Sequence, residues 1–311
     1  MTDRTHTPLP SAAAGDDNAW QGYTSANSVN EDFERTNTHY DLPAEFFITL
    51  TGGRWNCYSC NVWDGAETET ESEERKIDLL VELMELRPGQ RILDVGSGWG
   101  GPLVYLAKRY DVRGVGISLS PSQTAYARER ADRERVPVDF RVCHWRDLDH
   151  TEPFDAVYTD EVVCHFKDLA GYFNKVRHLL KPGGRMLNKE LHLTSSRYLR
   201  KTKAGSFLTG VIGGSGEYRL LHDELAVLDG AGFALERVLQ IPIVNFQKTS
   251  DAWLRNLQRA RSRLEEIVGS EEYRRNATYL RFARRSFANP IVSVDVVVAT
   301  PVDGYEERTG E

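Results

Sequence analysis

This sequence has no long apolar run, few cysteines and no excess of basic residues. No stretch reaches the roughly 18 apolar residues of a membrane-spanning helix, so stable membrane insertion is not expected. The 311 residues include 39 Lys and Arg against 46 Asp and Glu, a net charge of −7, which disfavours a nucleic-acid partner. The first residues lack the basic and then apolar pattern of a secretory signal. We therefore expect a soluble cytoplasmic protein.

Only four cysteines are present, at positions 57, 60, 143 and 164. Cys57 and Cys60 have the spacing of metal or redox pairs, but a structural zinc site needs a second close pair, which Cys143 and Cys164 do not form. The pair also lies in a segment rich in Gly, Trp, Asn and Tyr rather than at the start of a helix. We predict four reduced thiols and no metal site.

Short apolar runs alternate with helical patterns through the middle of the chain, which is typical of a parallel sheet with helices on both faces. Strands are predicted at residues 91–95, 112–117, 138–142, 154–158, 185–193, 233–241 and 291–299, and helices at 76–86, 102–110, 121–135, 168–180 and 220–231. The sequence therefore predicts an α/β fold with a doubly wound, mostly parallel, seven-stranded sheet of the Rossmann-like type.

Composition divides the rest of the chain. The predicted units are residues 1–18, 19–86, 87–300 and 301–311. The first unit is expected to be disordered, the second to form helices that close the site, the third to hold the sheet, and the last to be a tail. The acidic stretch 67–74 is expected to be solvated. Insertions near 194–218 and 249–287 are expected to form an α-helical cap over an apolar substrate.

A glycine-rich loop, Asp94-Val-Gly96-Ser97-Gly98-Trp-Gly100-Gly101, follows the first strand and precedes a helix. Its glycines permit positive φ and close approach of a ligand to the backbone. Such loops hold a dinucleotide, whose ribose needs an acid about 20 residues further on, or S-adenosylmethionine, which has no phosphate. The second strand ends at Ser118 without that acid, and Asp94 suits a ligand with an ammonium group. The loop, together with Leu180-Lys-Pro-Gly-Gly184 before a later strand, favours an S-adenosylmethionine-dependent methyltransferase.

Further motifs occur along the chain in a characteristic order. They are His39-Tyr-Asp-Leu42 with Phe46-Phe47, Tyr58-Ser-Cys60, Lys76-Ile-Asp-Leu79, Ile92-Leu-Asp-Val-Gly96, Gly116-Ile-Ser-Leu-Ser120 with Gln123, and Asp251-Ala-Trp253. Together they resemble the cyclopropane fatty acid and mycolic acid synthase family of methyltransferases. The resemblance extends from about His39 to Thr300 and is specific, because general methyltransferases lack the early segment.

The resemblance implies the positions of the cofactor residues. The implied contacts are Tyr40, Tyr58 and Ser59 at the closing segment, Asp94, Gly96, Ser97 and Gly98 at the methionine portion, Ser118 and Gln123 at the ribose, and Trp145 at the adenine. The alternative for each aromatic residue is packing in the core.

The resemblance also implies a polar site for bicarbonate, the base in these synthases. Cys60 is retained, but Cys164 stands where the family has an acid and Phe246 where it has a tyrosine. The family's histidine position falls near Asn188 or Lys189. Since a buried anion with few partners is costly, we expect methyl transfer without bicarbonate-assisted ring closure.

Methylation of an alkene, the acceptor that the resemblance implies, produces a carbocation that aromatic faces stabilise. We predict Glu161 and His165, at the end of the fourth strand, as candidate bases and Tyr58 as a third catalytic residue. The alternatives are a helix-start residue for Glu161 and a structural role for His165. Substrate contacts are predicted for Cys60, Cys164, Phe207, Tyr218, Phe246 and Trp253.

The leading hypothesis is C-methylation of an alkene in a hydrophobic acceptor, either a lipid or a prenylated specialised metabolite. The alternatives are N- or O-methylation of a small metabolite and true cyclopropane fatty acid synthesis. A non-catalytic binding protein and a dinucleotide oxidoreductase are disfavoured by the glycine loop. The aromatic stretch 20–33 is expected to be an added helix that packs over the site or onto a neighbouring subunit of a homo-oligomer.

Overall fold

The computed structural model describes residues 27–39, 42–149, 152–198, 218–289 and 291–305. The predicted disordered N-terminus, most of the insertion near 194–218 and the end of the tail lie outside the described residues. Tyr40 and Phe207, predicted to contact cofactor and substrate, also lie outside them.

A central sheet organises the molecule. Its strands are β1 (Arg91–Val95), β2 (Arg113–Ser118), β3 (Val138–Val142), β4 (Phe154–Asp160), β5 (Leu180–Leu193), β6 (Arg219–Leu220), β7 (Phe233–Ile241) and β8 (Val292–Pro301). The order is β3-β2-β1-β4-β5-β8-β7, with β6 paired to β5. Strands β1 to β5 pair in parallel, and β8 is antiparallel to β5 and β7. The predicted doubly wound, mostly parallel sheet is confirmed, with the two-residue β6 as an addition.

Helices cover both faces of this sheet and form a cap beside it. They are α1 (Val29–His39), α2 (Ala44–Thr51), α3 (Glu69–Met84), α4 (Gly101–Tyr110), α5 (Pro121–Glu134), α6 (Leu169–Leu179), α7 (Leu221–Gly230), α8 (Val244–Arg259) and α9 (Arg261–Ser286). Helix α9 is interrupted at Gly269, whose φ is 81°. No helix within the described residues has the length and apolar character needed to cross a membrane.

Local signals explain where the helices next to the site begin. Ser120 accepts a hydrogen bond from the backbone of Gln123, and Pro121 occupies the first turn of α5, an arrangement that favours helix initiation. Helix α3 begins earlier than the apolar pattern predicts, because Thr68 and Glu71 form a reciprocal capping box.

The prediction that the acidic stretch before the α3 apolar face is solvated is wrong at Glu73. This side chain is buried and accepts hydrogen bonds from the backbone N–H groups of Trp55 and Cys57, each at 2.8 Å. Burial raises the pKa of Glu73 to about 7, against the lowering effect of those hydrogen bonds. The carboxyl group therefore ties α3 to the segment that precedes it.

Strand β5 also differs from the prediction, since it begins at Leu180 rather than at residue 185. Its register against β4 shifts between Phe154 and Ala156, and Gly183 adopts a φ of 70°. An irregularity of this kind accommodates a proline and extra residues at a strand start, so Lys181-Pro-Gly-Gly184 enters the strand instead of preceding it.

The cap is held by a hydrophobic cluster distinct from those on the sheet faces. It joins α2, α8 and α9 through buried apolar residues, among them Phe46, Phe47, Trp253, Leu257 and Leu280, together with Trp99 of the glycine loop. The predicted helical character of 249–287 is thus observed as α8 and α9. The cap packs against the same loop that was predicted to hold the cofactor.

Candidate active site

A cavity opens at the carboxyl ends of β1, β2 and β4, where ligands bind in open α/β sheets. It encloses about 1230 Å³ of space, part of it open to solvent. Its lining comes from α1, from the segment before α3, and from the loops that follow β1, β2, β3 and β4. This volume suits a nucleoside cofactor together with part of an acceptor.

Most of the predicted cofactor residues and all three predicted catalytic residues meet in this cavity. Those that line it are Tyr58, Ser59, Asp94, Gly96, Ser97, Gly98, Ser118, Gln123, Trp145, Glu161 and His165. These residues lie between positions 58 and 165 of the chain. Most of them meet because the strands that precede them are neighbours in the sheet, not because they are close in sequence. The roles of the individual residues stay predictions.

The glycine loop has the backbone that its sequence predicts. Gly96, Gly98 and Gly100 have φ values of 83°, 50° and 73°, a region that disfavours side chains. A Cβ at Gly96 would lie 2.4 Å from the Val162 side chain, whereas one at Gly98 would have its nearest neighbour at 4.0 Å. Gly98 therefore leaves open space along the loop, as a ligand lying against the backbone requires.

Asp94 is the acidic residue of this loop. It is buried and accepts a hydrogen bond from the hydroxyl of Tyr158 at 2.6 Å. Burial raises its pKa to about 7, although the hydrogen bond from Tyr158 opposes this shift. A carboxyl group held in this way by a neutral donor gains from a cationic ligand, and the ammonium group of S-adenosylmethionine is such a cation.

The nucleoside end of the cavity combines polar and aromatic groups. Ser118 donates a hydrogen bond to Gln123 at 3.0 Å. Trp145 lines the cavity and also packs against Phe166 and Tyr172, with ring centroids 5.9 Å and 5.6 Å away. The ligand-facing and core-packing interpretations of Trp145 are therefore compatible. These groups and Asp94 fit S-adenosylmethionine.

Helix α1 supplies cavity residues that sequence reasoning missed. Asp32 and Thr36 line the cavity, and Asp32 contacts the ring of His144 at 3.2 Å. Arg146 donates a hydrogen bond to the backbone carbonyl of Asn27 at 2.9 Å. Burial lowers the pKa of His144 below its ordinary value, against the effect of Asp32. The available signal was the Ser28–Glu31 capping pattern, which marks a helix start.

A chain of buried charges lies beside the cavity. Sequence reasoning named Lys76, Lys189 and Glu161 but missed the contacts that join them. The ammonium of Lys76 contacts Ser59 Oγ at 2.6 Å and Asp160 Oδ2 at 2.7 Å. The ammonium of Lys189 contacts Asp160 Oδ1 at 2.7 Å and Glu161 Oε1 at 2.5 Å. Both lysines are wholly buried. The chain therefore alternates in sign from Lys76 to Glu161.

Ion pairing dominates the electrostatics of this chain. Burial opposes ionisation of Lys189, but Asp160 and Glu161 outweigh it and raise the pKa of Lys189 above its ordinary value. Burial likewise disfavours the charge on Asp160, but Lys189 and Lys76 hold the pKa of Asp160 below its usual range. We therefore describe Asp160 and both lysines as ionised.

Glu161 has an unusual backbone conformation directly after β4. Its φ is 60°, which costs a residue with a side chain about 1–2 kcal/mol. Its N–H donates to the carbonyl of Lys189 at 2.7 Å, and its Oε1 accepts the N–H of Cys60 at 2.8 Å. The carboxylate is bound to β5 and to the segment before α3, rather than capping the turn that follows it. The strained backbone places this group on the cavity.

None of the predicted substrate residues that the structure describes lines the cavity. Trp253 reaches it through Tyr58, with which it stacks at a centroid distance of 5.1 Å, and Phe246 packs on Phe287 at 3.9 Å. The other predicted contacts are Cys60 and Cys164, which are buried, and Tyr218, which is half-buried. The contacts of Phe246 and Trp253 are those of aromatic residues packed in the core, which was the alternative to a ligand-binding role for the aromatic residues.

The four cysteines are free thiols. Burial raises the pKa values of Cys57 and Cys60 above the ordinary value, so both are neutral and unreactive at physiological pH. Among the described residues no group of His, Cys, Asp and Glu side chains is arranged to hold a metal ion.

The sheet order, the glycine loop and the cavity at its carboxyl edge define a class I S-adenosylmethionine-dependent methyltransferase. The chain belongs to the mycolic acid cyclopropane synthetase family, whose family model matches residues 27–297. The resemblance inferred from the sequence motifs and the predicted cofactor are thereby confirmed.

Curated relatives support this assignment. The chain is similar to hydroxymycolate synthase MmaA4 of Mycobacterium tuberculosis, with 26% identity over 291 residues that cover 85% of this chain and 91% of that protein. It is 34% identical over 161 residues to cyclopropane-fatty-acyl-phospholipid synthase of Escherichia coli, a match that covers 51% of this chain. The match spans only 40% of the length of that E. coli synthase.

Solved structures show the same fold. The cyclopropane synthase MmaA2 from Mycobacterium tuberculosis has a TM-score of 0.79 at 24% identity, covering 88% of this chain and 99% of that one. Mycolic acid cyclopropane synthase CmaA1, complexed with SAH and CTAB, has a TM-score of 0.76 at 23% identity and covers 86% of this chain and 97% of that one.

Proposed function

We propose that this methyltransferase methylates a carbon of an alkene in a hydrophobic acceptor, a lipid or a prenylated metabolite, and that Glu161 is the base. The observation that carries the proposal is the Glu161 carboxylate, held on the cavity by Lys189 and the Cys60 N–H. The names of the curated relatives, which refer to fatty-acyl phospholipid and hydroxymycolate synthesis, support a hydrophobic acceptor.

When bound, S-adenosylmethionine would supply an electrophilic methyl group. The alkene electron pair would form the new C–C bond as the methyl–sulfur bond breaks, which leaves a carbocation on the acceptor and S-adenosylhomocysteine as the leaving group. Tyr58, which lines the cavity and stacks on Trp253, supplies an aromatic ring of the kind that stabilises such a cation. Glu161 accepts a proton from a carbon next to the cationic centre, and that C–H electron pair becomes the new double bond. The protonated Glu161 then returns its proton to solvent.

Glu161 is a better base for this step than His165, the other prediction. His165 lines the cavity within the short turn Val163–His165, but the cavity-facing carboxylate is the group fixed by a buried cation. A carboxylate that is oriented before the reaction loses little freedom in the transition state.

Acceptor identity and product structure test the proposal. Labelled S-adenosylmethionine should be incubated with unsaturated phospholipid vesicles, prenylated aromatic compounds, and small amines and phenols, and the products analysed by mass spectrometry and NMR. We expect a new C–CH3 group in a product that keeps a double bond. A methyl group on nitrogen or oxygen would overturn the proposal in favour of heteroatom transfer.

A Glu161→Gln variant separates the two steps. We expect the alkene product to fall by about 10²-fold or more, as for loss of a general base, while the dissociation constant for S-adenosylhomocysteine stays unchanged. Asp94→Asn serves as the contrasting variant, because it should weaken cofactor binding instead. An alkene product formed at the wild-type rate by Glu161→Gln would exclude Glu161 as the base.

True cyclopropane fatty acid synthesis is the second candidate, favoured by the family membership. Ring closure with added bicarbonate would place an anion near Cys60, yet the Cys60 N–H already binds the Glu161 carboxylate. A bicarbonate anion beside the Glu161 carboxylate would be repelled by it. A cyclopropane product, or a rate that rises with bicarbonate, would establish this second function.

A further inference from the structure

Two wholly buried lysines share one aspartate, and only one of them contacts Glu161. Lys76 and Lys189 bind the two carboxylate oxygens of Asp160, each at 2.7 Å. Lys76 also binds Ser59, whereas Lys189 binds Glu161. Since a buried ammonium group is costly without partners, these pairings determine where each lysine lies.

We propose that Lys189 is the positioning residue for Glu161, and that Asp160 holds Lys189 in place. This inference rests on the proposed role of Glu161 as the base. From the sequence, Lys189 was named only as standing near the family's histidine position and was given no role in the reaction. Lys189 reaches the acceptor only through Glu161.

The charges of the chain balance. Two buried ammonium groups face the carboxyl groups of Asp160 and Glu161, so the four side chains pair with one another without an ion from solution. Asp160 cannot turn toward one lysine without leaving the other, because each of its oxygens already accepts a charged hydrogen bond. Lys189 therefore stays a fixed donor beside the cavity.

The contacts of Glu161 show what this donor does. Its Oε1 accepts both the Lys189 ammonium and the Cys60 N–H. Its Oε2 accepts no hydrogen bond from the described part of the chain, and Glu161 lines the cavity. One oxygen is thus used for orientation, and the other is left for the proton of the acceptor.

The test compares three lysine variants. Lys189→Met removes the contact to Glu161, and Lys189→Arg keeps the charge and should restore part of the activity. Lys76→Met is the matched control for loss of a buried lysine from Asp160, and it leaves the Glu161 contact in place. Lys181→Met removes a more exposed lysine–aspartate pair, 2.8 Å from Asp155, at the start of the same strand, and should retain wild-type activity.

For Lys189→Met we expect kcat for the alkene product to fall by about 10²-fold, while the S-adenosylhomocysteine dissociation constant changes by less than about threefold. Products of water addition to the cation should rise, as they should in Glu161→Gln. Lys76→Met should instead weaken cofactor binding through Ser59 and leave the product ratio unchanged. Equal effects of Lys189→Met and Lys76→Met on kcat and on the product ratio would reduce Lys189 to a structural role.

Two further measurements keep the test decisive. If Lys189→Met does not fold, Lys189→Met combined with Asp160→Asn removes one charge of each sign and still abolishes the contact to Glu161. A crystal structure of whichever variant folds, with S-adenosylhomocysteine bound, needs no acceptor and should show the Glu161 carboxylate turned away from the Cys60 N–H. An unmoved carboxylate would overturn the inference about Lys189. Methyl transfer to nitrogen or oxygen would overturn only the proposed function.

Discussion

Two aspartates of one cavity carry opposite pKa shifts, and their hydrogen-bond donors explain the difference. Asp94 is buried against the neutral hydroxyl of Tyr158, and burial raises its pKa to about 7. Asp160 also pays the cost of burial, but Lys189 and Lys76 lower its pKa below the usual range. The environment of each carboxyl group, rather than its depth, decides its charge.

The raised pKa of Asp94 predicts pH-dependent cofactor binding. Pairing with an ammonium group requires the carboxylate, so binding below about pH 7 must release a proton. We expect affinity for S-adenosylhomocysteine to decrease as the pH falls from 8 to 6, by up to about tenfold per unit. Calorimetry in buffers of different ionisation enthalpy measures both the affinity and the proton count.

Two variants make this prediction specific. Asp94→Asn should bind more weakly and lose the pH dependence, whereas Tyr158→Phe removes a pKa-lowering hydrogen bond and should shift the decrease in affinity to higher pH. Affinity that is constant from pH 6 to 8 in the wild type would contradict the assignment of Asp94 to the ammonium group.

At the scale of elements, a buried histidine joins β5, β8 and α7. His192 contacts Asp295 at 3.1 Å through Nδ1 and Glu224 at 3.0 Å through Nε2. Burial opposes the charge, but hydrogen bonds to Asp295 and Glu224 outweigh it and raise the pKa of His192 to about 10. The imidazolium therefore links three elements at the antiparallel side of the sheet.

This link predicts a pH-dependent contribution to stability. Because the folded pKa is raised, the stabilisation is fully present below the unfolded value of about 6.5 and is lost as the pH rises toward 10. We expect His192→Gln to lower the free energy of unfolding by about 3–5 kcal/mol at pH 6, with a smaller difference at pH 10. Denaturant unfolding at both pH values measures this.

The control for that experiment lies on α7. His222→Gln removes an exposed histidine paired with Asp223 at 3.2 Å and should change stability little at either pH. A His192→Gln deficit that is as large at pH 10 as at pH 6 would show that the charge on His192 does not contribute.

Helix α1 predicts a kinetic effect on the cofactor. Its Asp32 contacts His144 beside the nucleoside end of the cavity, so this hydrogen bond has to break if α1 moves aside. We expect Asp32→Ala to speed dissociation of S-adenosylhomocysteine by roughly fivefold, the value of a hydrogen bond worth about 1 kcal/mol. Stopped-flow displacement measures the rate. Asp139→Ala, which removes an exposed pair with Arg141, should leave it unchanged.

Sequence patterns predicted the elements better than the contacts between them. The strands could be predicted because apolar runs alternate with helical patterns along the chain. The glycine loop could be predicted because its conformation is determined by consecutive residues. The Lys76–Asp160 contact joins residues 84 positions apart, and no local pattern reports such a partner. Lys76 does share the buried face of α3 with Leu80, a helical spacing that marks burial without naming the partner.

At the scale of the whole molecule, aromatic rings connect the cap to the cofactor loop. Trp253 stacks on Tyr58, and Phe47 lies 5.5 Å from both Tyr58 and Trp99. Tyr58 and Trp99 both line the cavity. Ring contacts therefore connect α8 of the cap to the glycine loop that lines the cavity.

At the same scale, removal of the N-terminal residues 1–26 is predicted to affect turnover or assembly. Removing residues 1–26 deletes the aromatic residues Trp20 and Tyr23 but leaves Asn27 and α1. If this segment packs over the site or onto a neighbouring subunit, we expect slower turnover, a smaller assembly, or both. Steady-state assays and light scattering on the full and shortened chains measure these quantities. Unchanged turnover together with unchanged assembly mass would exclude both roles.

The left-handed backbone at Glu161 implies that stability and activity favour different residues at this position. A glycine there would adopt the same φ without steric cost. It would, however, leave Lys189 with Asp160 as its remaining carboxylate partner and the Cys60 N–H without its acceptor. Under selection for thermal stability alone, relief of the backbone strain would favour glycine at position 161, whereas loss of the carboxylate contacts would disfavour it. A variant library screened for both melting temperature and turnover should find substitutions at 161 that separate the two properties.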